Sequence, residues 1–299
     1  SRLAGKVLAA LAGRPVLDWV VTAAQVIPGI DKVAVATPSG PENDEIAEWC
    51  MARGVACHRG SESDVLERIR AAAEAEKADI VVRLTADCPF LDPDVCGQVL
   101  LLLERSGADY ASNVDPARWP DGLDCEALTY AALEAAAREA TRASDREHVT
   151  PFVRDRRHRF RIASLDCPIS GLGNERWTID TPEDMDRLQH IAARLDAPPV
   201  SYVAVLRAIN SAAEGDLPAR NTGFEKSLTR DDAAPQDYTV SQRLLARASK
   251  TIPLGAQTFS KSALQFPQGC APIFLSHGDG GRVWDVDGNR YVDLVCGLL

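Results

Sequence analysis

The sequence predicts an α/β fold in which a doubly wound, mostly parallel sheet carries helices on both faces. Short apolar runs such as 32–37 and 79–84 alternate with amphipathic segments of helical length such as 42–53 and 63–77. Strands separated by helices of that length pair in parallel, with the helices packed on the sheet. The run 79–84 is centred on Ile80, Val81 and Val82 and has the apolar character of a central parallel strand. A chain of 299 residues with 45% hydrophobic residues has room for one large domain and a smaller unit.

Apolar spacing and the residues that end each segment define the individual elements. Gly54 ends one amphipathic segment, and Pro182 opens another at the first helical position. Helical spacing predicts helices over 16–26, 42–53, 63–77, 93–104, 130–140, 146–154, 182–195 and 202–209. Short apolar runs bounded by turn-forming residues predict strands over 32–37, 55–59, 79–84, 109–113, 160–166 and 176–180.

A change in composition divides the chain. Residues 213–240 are polar and rich in turn formers, which predicts a linker. Residues 1–212 then form the α/β domain. Residues 241–299 form a small unit, with a helix over 241–249 and antiparallel strands within 272–294.

Charge and cysteine usage exclude several classes of protein. A net charge of -10 and a pI near 5.1 argue against a nucleic-acid partner, which would need a clustered basic face. No apolar run reaches the ~18 residues of a membrane span. The eight cysteines are scattered without a Cys-x-x-Cys pair, so neither a disulfide framework nor a zinc site is indicated. We expect a cytoplasmic protein that acts on small molecules.

Two acidic residues follow predicted strands. Asp87 comes directly after a buried strand, and Asp180 ends the last strand of the domain. Ligands of doubly wound sheets bind beyond the carboxyl ends of the strands, where two carboxylates could hold Mg²⁺ together with substrate phosphates. The alternative is that both residues cap the helices after them, Asp180 within Asp-Thr-Pro-Glu-Asp. Taken alone, the residues favour capping.

Three polar segments have two interpretations each. Arg2, Gly5 and Lys6 form a short basic loop suited to a triphosphate, or a frayed basic terminus. In the segments 121–126 and 144–148, polar residues stand next to apolar ones. This pattern is typical of a substrate pocket, and also of a turn followed by a capped helix.

Six ordered segments carry a resemblance to a known family. They are residues 1–8, 59–68, 83–89, 120–124, 144–151 and 177–184. Together they resemble cytidylyltransferases of the spore-coat polysaccharide type, relatives of the CMP-Kdo and CMP-sialate synthetases. The resemblance implies a Rossmann-like fold of the nucleotide-diphospho-sugar transferase kind. The family pattern has a strand and a glycine-containing turn before the Ser-Arg pair, so we expect the first strand to be missing here.

The resemblance also implies the roles of individual residues. The reaction would be Mg²⁺-dependent cytidylyl transfer from CTP to an acidic sugar or similar acceptor, releasing pyrophosphate, in the synthesis of surface polysaccharide or glycoconjugate precursors. Arg2 and Lys6 would be catalytic. The nucleotide would be bound by Arg2, Gly5, Lys6, Ser61 and Asp87. The metal would be held by Asp87 and Asp180. The acceptor would contact Asp121, Asp124, Glu126 and Arg146.

The end of the chain resembles another family. Residues 248–262 and 281–293 are similar to the opening of a class III, PLP-dependent aminotransferase of the glutamate-1-semialdehyde aminomutase type. Lys261 is not in the context of a PLP lysine, so PLP would bind only to a missing part of that enzyme. Members of that family are usually dimers, and the resemblance leaves open whether this chain forms a homodimer. The rival function is an inactive nucleotide-binding module that regulates a fused aminotransferase. A dinucleotide-dependent oxidoreductase is disfavoured because no G-x-G-x-x-G follows a strand.

Overall fold

The computed structural model describes residues 5–169, 171–212, 217–218, 239–248, 250, 274–279, 282–287 and 289–292. The chain divides into two compact units, Ser1–Phe224 and Glu225–Leu299. The division falls within the segment 213–240, where the sequence predicts a linker. Arg2 and Lys261 lie outside the described residues.

The helices of the first unit follow the predicted order. They are α1 Val16–Ala24, α2 Asp44–Arg53, α3 Val65–Ala75, α4 Pro93–Ser106, α5 Tyr130–Glu139, α6 Ala143–His148, α7 Pro151–Arg154, α8 Pro182–Ala192 and α9 Tyr202–Asn210. The predicted helix 146–154 is divided into α6 and α7, because Pro151 lacks an N–H and disfavours the helical conformation before it. Val149 turns the chain at this point with φ 74°.

The strands of the first unit form three small sheets. They are β1 Ala10–Leu11, β2 Arg14–Pro15, β3 Ala34–Pro38, β4 Ala56–Gly60, β5 Ile80–Arg83, β6 Tyr110–Ser112, β7 Glu126–Thr129 and β8 Ile162–Ser164. Strands β1 and β2 form a hairpin, and β3 pairs in parallel with β4. The third sheet has the order β5-β7-β6-β8, in which β7 is antiparallel to both neighbours and β6 is parallel to β8.

The α/β class is confirmed, with three differences in the strands. The sequence did not predict the hairpin of β1 and β2. Strand β7 was not expected from the sequence, and it makes the pairing mixed. Residues 176–180, predicted as a strand, contribute only an isolated parallel bridge between Arg176 and Asp121. The backbone N–H groups of this segment donate instead to two loops: Trp177 N to Asp121 O at 2.6 Å and Ile179 N to Asp87 O at 3.0 Å. The segment therefore lies between the loops that carry Asp87 and Asp121.

The segment 176–180 contributes side chains to a buried cluster that is rich in aromatic residues. Trp19, Phe90, Trp119, Trp177 and Ile179 are buried in one cluster. Trp19 and Phe90 meet edge to face, with ring centroids 5.8 Å apart. Burying such side chains stabilises the fold by about 1.5–3 kcal/mol each. Trp177 and Ile179 thus fix the segment 176–180 to the apolar core.

The second unit contains one described helix and one sheet. The helix is α10 Thr239–Ala248, and the strands are β9 Leu275–Asp279, β10 Arg282–Asp285 and β11 Arg290–Val292. Strand β10 pairs with both others in antiparallel fashion, as the sequence predicts. Over the described parts of both units, no helix is long and apolar enough to cross a membrane.

Candidate active site

Lys6 brings the two predicted metal ligands together. Its Nζ donates to Asp87 Oδ2 at 2.6 Å and to Asp180 Oδ1 at 2.8 Å. A third hydrogen bond, of 2.6 Å, goes to the carbonyl oxygen of Ile179. The two carboxylates therefore converge on a single cationic position.

Neither aspartate caps the helix that follows it. Helix α4 has Asp92 as its N-cap, and the Asp92 side chain accepts from the N–H groups of Asp94 and Val95. Helix α8 begins with a capping box formed by Thr181 and Asp184. The capping alternative is therefore wrong for both residues. Their carboxylates accept hydrogen bonds from Lys6 instead.

Arg176 extends the site toward the Asp121 loop. Its guanidinium donates to Asp121 Oδ2 at 2.5 Å and to Asp180 Oδ2 at 2.6 Å, and it lies 3.5 Å from Asp184 Oδ2. The loop and the segment touch at Gly122, where φ is 110° and an added Cβ would lie 2.6 Å from the carbonyl carbon of Trp177. Only glycine allows this close approach.

Neighbouring charges stabilise the ionised forms of Lys6 and Asp180. Burial opposes the charge on Lys6, but Asp87 and Asp180 outweigh burial and raise the pKa of the Lys6 ammonium. Burial likewise opposes the charge on Asp180, but Lys6 and Arg176 lower its pKa. Among the described residues, the ion-paired group has four carboxylates and two cations, namely Asp87, Asp121, Asp180, Asp184, Lys6 and Arg176. The carboxylates of this group provide the oxygen ligands that a divalent cation prefers.

The donor set fits Mg²⁺ better than a metal that needs a full protein cage. Within the described ranges, no three His, Cys, Asp or Glu side chains are grouped to hold a metal ion. Mg²⁺ is usually bound by one or two carboxylates together with substrate phosphates and water. Asp87 and Asp180 provide that number of carboxylates.

Gly5 and Ser61 lie in turns of two separate loops. Gly5 has φ 67°, and its carbonyl oxygen accepts from the N–H of Leu8 at 3.0 Å, so the chain turns directly beside Lys6. Ser61 precedes α3, and its hydroxyl accepts from the N–H of Asp64 at 3.0 Å.

Arg146 lies with the Ser61 loop and not with the Asp121 loop. Its guanidinium donates to both oxygens of Asp64, with Nε at 3.0 Å from each. It also donates to the carbonyl oxygen of Ala137 near the end of α5 at 2.5 Å. Because Asp64 caps α3, Arg146 fixes the N-terminus of that helix to α5 and α6. This position differs from the acceptor contact that the resemblance implies.

Glu126 is also placed differently from its expected role. It begins β7 with its side chain buried, where it pairs with Arg83 and accepts from the hydroxyls of Tyr110 and Thr150 at 2.6 Å each. Burial opposes the charge, but Arg83 and the two hydroxyls lower the pKa of Glu126. The carboxylate therefore links three structural elements in the core and does not face an acceptor.

Asp124 stays close to the site. Burial and the nearby charges of Asp87, Asp124 and Asp121 raise the pKa of the Cys88 thiol. Cys88 follows Asp87 directly, so the charges of Asp121 and Asp124 act next to a predicted metal ligand.

Sequence reasoning missed Arg176 and Asp184. The four-residue spacing of Arg176, Asp180 and Asp184 would indicate pairing only within a helix, and 176–180 is not helical, so the sequence carried no local signal for them. A cavity of about 470 Å³ lies beside the segments that precede Asp121 and Arg176. It is lined by residues that include Ala117, Arg118, Cys167, Ile169, Gly173 and Asn174.

Comparison with known proteins gives consistent matches. A family model described as cytidylyltransferase matches residues 1–198. The chain is 31% identical over 218 residues to the spore coat polysaccharide biosynthesis protein SpsF of Bacillus subtilis, a match that covers 70% of this chain and 89% of that protein. A cytidylyltransferase structure from Leptospira borgpetersenii has a TM-score of 0.66 at 27% identity, covering 70% of this chain and 89% of its own.

Two further matches are more limited. The structure of CMP:2-keto-3-deoxy-manno-octonic acid synthetase complexed with CTP has a TM-score of 0.51 at 16% identity, covering 64% of this chain and 93% of its own. It shares the Rossmann-like fold. A match to glutamate-1-semialdehyde 2,1-aminomutase of Natronomonas pharaonis is 45% identical over 58 residues, which is 19% of this chain and 12% of that enzyme.

Proposed function

Because this chain belongs to the cytidylyltransferase family, we propose that it transfers the cytidylyl group of CTP to an acidic sugar or a similar small acceptor, with Mg²⁺ held by Asp87 and Asp180. The products would be pyrophosphate and an activated precursor for surface polysaccharide or glycoconjugate synthesis in the cytoplasm. The observation that carries this proposal is the convergence of both carboxylates on one cationic position, within 2.8 Å of Lys6 Nζ.

The chemistry requires positioning and charge neutralisation. An oxygen of the acceptor attacks the α-phosphorus of CTP, the bond to the bridging oxygen breaks, and pyrophosphate leaves. Mg²⁺, when bound, would neutralise charge on the phosphate oxygens. The triphosphate would contact Lys6, Gly5 and Arg2. The turn at Gly5 supports this, because it directly precedes Lys6 and Lys6 contacts the carboxylate pair.

The cytosine base would bind beside the Ser61 loop. This proposal is supported by the way the loop is held, since Ser61 accepts from Asp64 and Asp64 is fixed by Arg146. Arg146 would then position the nucleotide indirectly, by fixing Asp64. Glu126 would stabilise the sheet through its contacts in the core.

The acceptor would bind on the Asp121 side. Asp121 is linked to Asp180 through Arg176, and the cavity of about 470 Å³, lined by segments that precede Asp121 and Arg176, has room for a small molecule. Arg118 lines this cavity and pairs with Asp166 at 3.0 Å, the two side chains being 61% and 64% exposed; its guanidinium would exchange this exposed partner for an acidic group of the acceptor.

The test measures pyrophosphate release from each nucleoside triphosphate against a panel of sugar acids and other small acids. We expect turnover with CTP, lowered by about 100-fold or more in Asp87→Asn and Asp180→Asn. Asp186→Asn is the matched control, because Asp186 lies in α8 with 60% of its side chain exposed. Unchanged rates in the first two variants would refute the metal assignment. Binding of CTP without turnover on any acceptor would support the regulatory module instead.

A further inference from the structure

The Lys6 ammonium takes the place that a metal ion between Asp87 and Asp180 would occupy. An ammonium has three N–H donors. All three find oxygen acceptors, one in each carboxylate and one in the Ile179 carbonyl, at 2.6 to 2.8 Å. The Lys6 side chain is only 13% exposed, so the contact is shielded from water.

We propose that Lys6 is a built-in counter-ion that keeps divalent metal out of the Asp87–Asp180 pair until a triphosphate draws the ammonium away. This inference rests on the proposed function, because it concerns the same pair of carboxylates. An ammonium and a divalent ion repel each other with twice the energy of two unit charges at the same separation. Both cannot contact the same two carboxylates without a large loss of free energy.

The two carboxylates depend on Lys6 to different degrees. Asp180 also pairs with Arg176 at 2.6 Å, so it keeps a cationic partner when Lys6 leaves. Lys6 is the only cation with which Asp87 is ion-paired among the described residues. Departure of Lys6 therefore exposes a half-buried negative charge at Asp87, which favours the entry of a metal ion.

Lys6 can leave without rearrangement of the fold. Its ammonium is carried on a flexible four-carbon stem, in contrast to the planar fork of an arginine. Arg176 is held by three carboxylates and keeps the 176–180 segment in place. A triphosphate offers Lys6 several anionic oxygens in exchange for two carboxylates and a carbonyl. Nucleotide binding and metal binding are therefore coupled, and each strengthens the other.

The experiment titrates Mn²⁺ into the nucleotide-free protein and follows free Mn²⁺ by electron paramagnetic resonance. We expect weak binding by the wild type and binding tighter by about tenfold or more in Lys6→Met. Lys6→Gln, which keeps hydrogen-bond donors without the charge, should show the same gain. Lys32→Met is the matched control, because it removes a positive charge at a residue that is 60% exposed and paired with Glu76. It should bind Mn²⁺ as the wild type does.

A second arm compares the effect of nucleotide on the wild type and on Lys6→Met, and locates the metal. Adding the non-cleavable analogue α,β-methylene-CTP should tighten Mn²⁺ binding more in the wild type than in Lys6→Met, because the variant has no ammonium to displace. The gain from Lys6→Met should disappear when Asp180→Asn is added. Circular dichroism establishes that each variant is folded.

The proposal is overturned if wild type and both Lys6 variants bind Mn²⁺ equally without nucleotide. It is also overturned if the gain survives Asp180→Asn, or if the analogue tightens Mn²⁺ binding equally in wild type and Lys6→Met. The proposed function fails on a different result, the absence of pyrophosphate release from CTP. The two ideas can therefore be rejected separately.

Discussion

Gly122 offers a test of how closely the Asp121 loop meets the segment 176–180. In Gly122→Ala, the added Cβ would lie 2.6 Å from the Trp177 carbonyl carbon, 2.8 Å from its oxygen and 2.9 Å from Thr178 N. These are backbone atoms and cannot move aside as a flexible side chain can. The residue would also keep φ at 110°, which L-residues rarely adopt.

The expected loss of stability follows from these two effects. The backbone conformation costs about 1–3 kcal/mol, and forcing the loop and segment apart costs about 1–3 kcal/mol more. Gly13→Ala is the matched control, because Gly13 has φ 80° but an added Cβ meets nothing within 4 Å. It should lose only the conformational part, about 1–2 kcal/mol.

Urea unfolding followed by tryptophan fluorescence measures the difference. Of the five tryptophans only Trp284 lies in the second unit, so the signal reports mainly on the first. Gly122→Ala should also lower the rate of pyrophosphate release by about 10- to 100-fold, because moving Trp177 displaces Asp180. Equal unfolding midpoints for Gly122→Ala and Gly13→Ala would refute the reasoning.

Two other variants test the placement of residues that the sequence assigned elsewhere. Arg146→Lys should destabilise the protein by about 1–3 kcal/mol in urea and raise the KM for CTP more than that for the acceptor, since lysine lacks the planar fork that reaches Asp64 and the Ala137 carbonyl together. A larger effect on the acceptor KM would count against this placement. The pKa of Glu126 is held below its ordinary 4.5, so its stabilising effect is complete above pH 4.5 and is lost as the pH falls through the folded-state value. The unfolding free energy of the wild type should therefore fall more steeply below pH 4.5 than that of Glu126→Gln, and parallel curves would contradict the assignment.

The sequence predicted the elements whose apolar pattern is local. Helices α2 and α4 and strands β3 to β6 were found within a few residues of their observed bounds, because their spacing and end residues suffice to define them. The shared position of Asp87 and Asp180 did not follow from the residues alone, which favoured capping; it was implied by the resemblance. The strand that was predicted to end at Asp180 is only an isolated bridge, and backbone hydrogen bonds to distant loops place Asp180 instead.

Contacts between distant segments were not accessible from the sequence. Strand β7 begins with Glu126, and a charged residue in a buried strand is understandable only once Arg83, Tyr110 and Thr150 surround it. Arg146 pairs with Asp64 across 82 positions, and no local pattern indicates that partner. Arg176 was overlooked because it stands in a segment that resembles a plain strand.

The most direct test of the account is to locate the metal. Crystals grown with Mn²⁺ and α,β-methylene-CTP would show the ion by its anomalous scattering. The account predicts a Mn²⁺ ion bound by one oxygen of Asp87, one oxygen of Asp180 and the phosphates, at about 2.0–2.2 Å, with Lys6 moved onto the triphosphate. An ion bound to the phosphates without either aspartate, with Lys6 still between the two carboxylates, would contradict it.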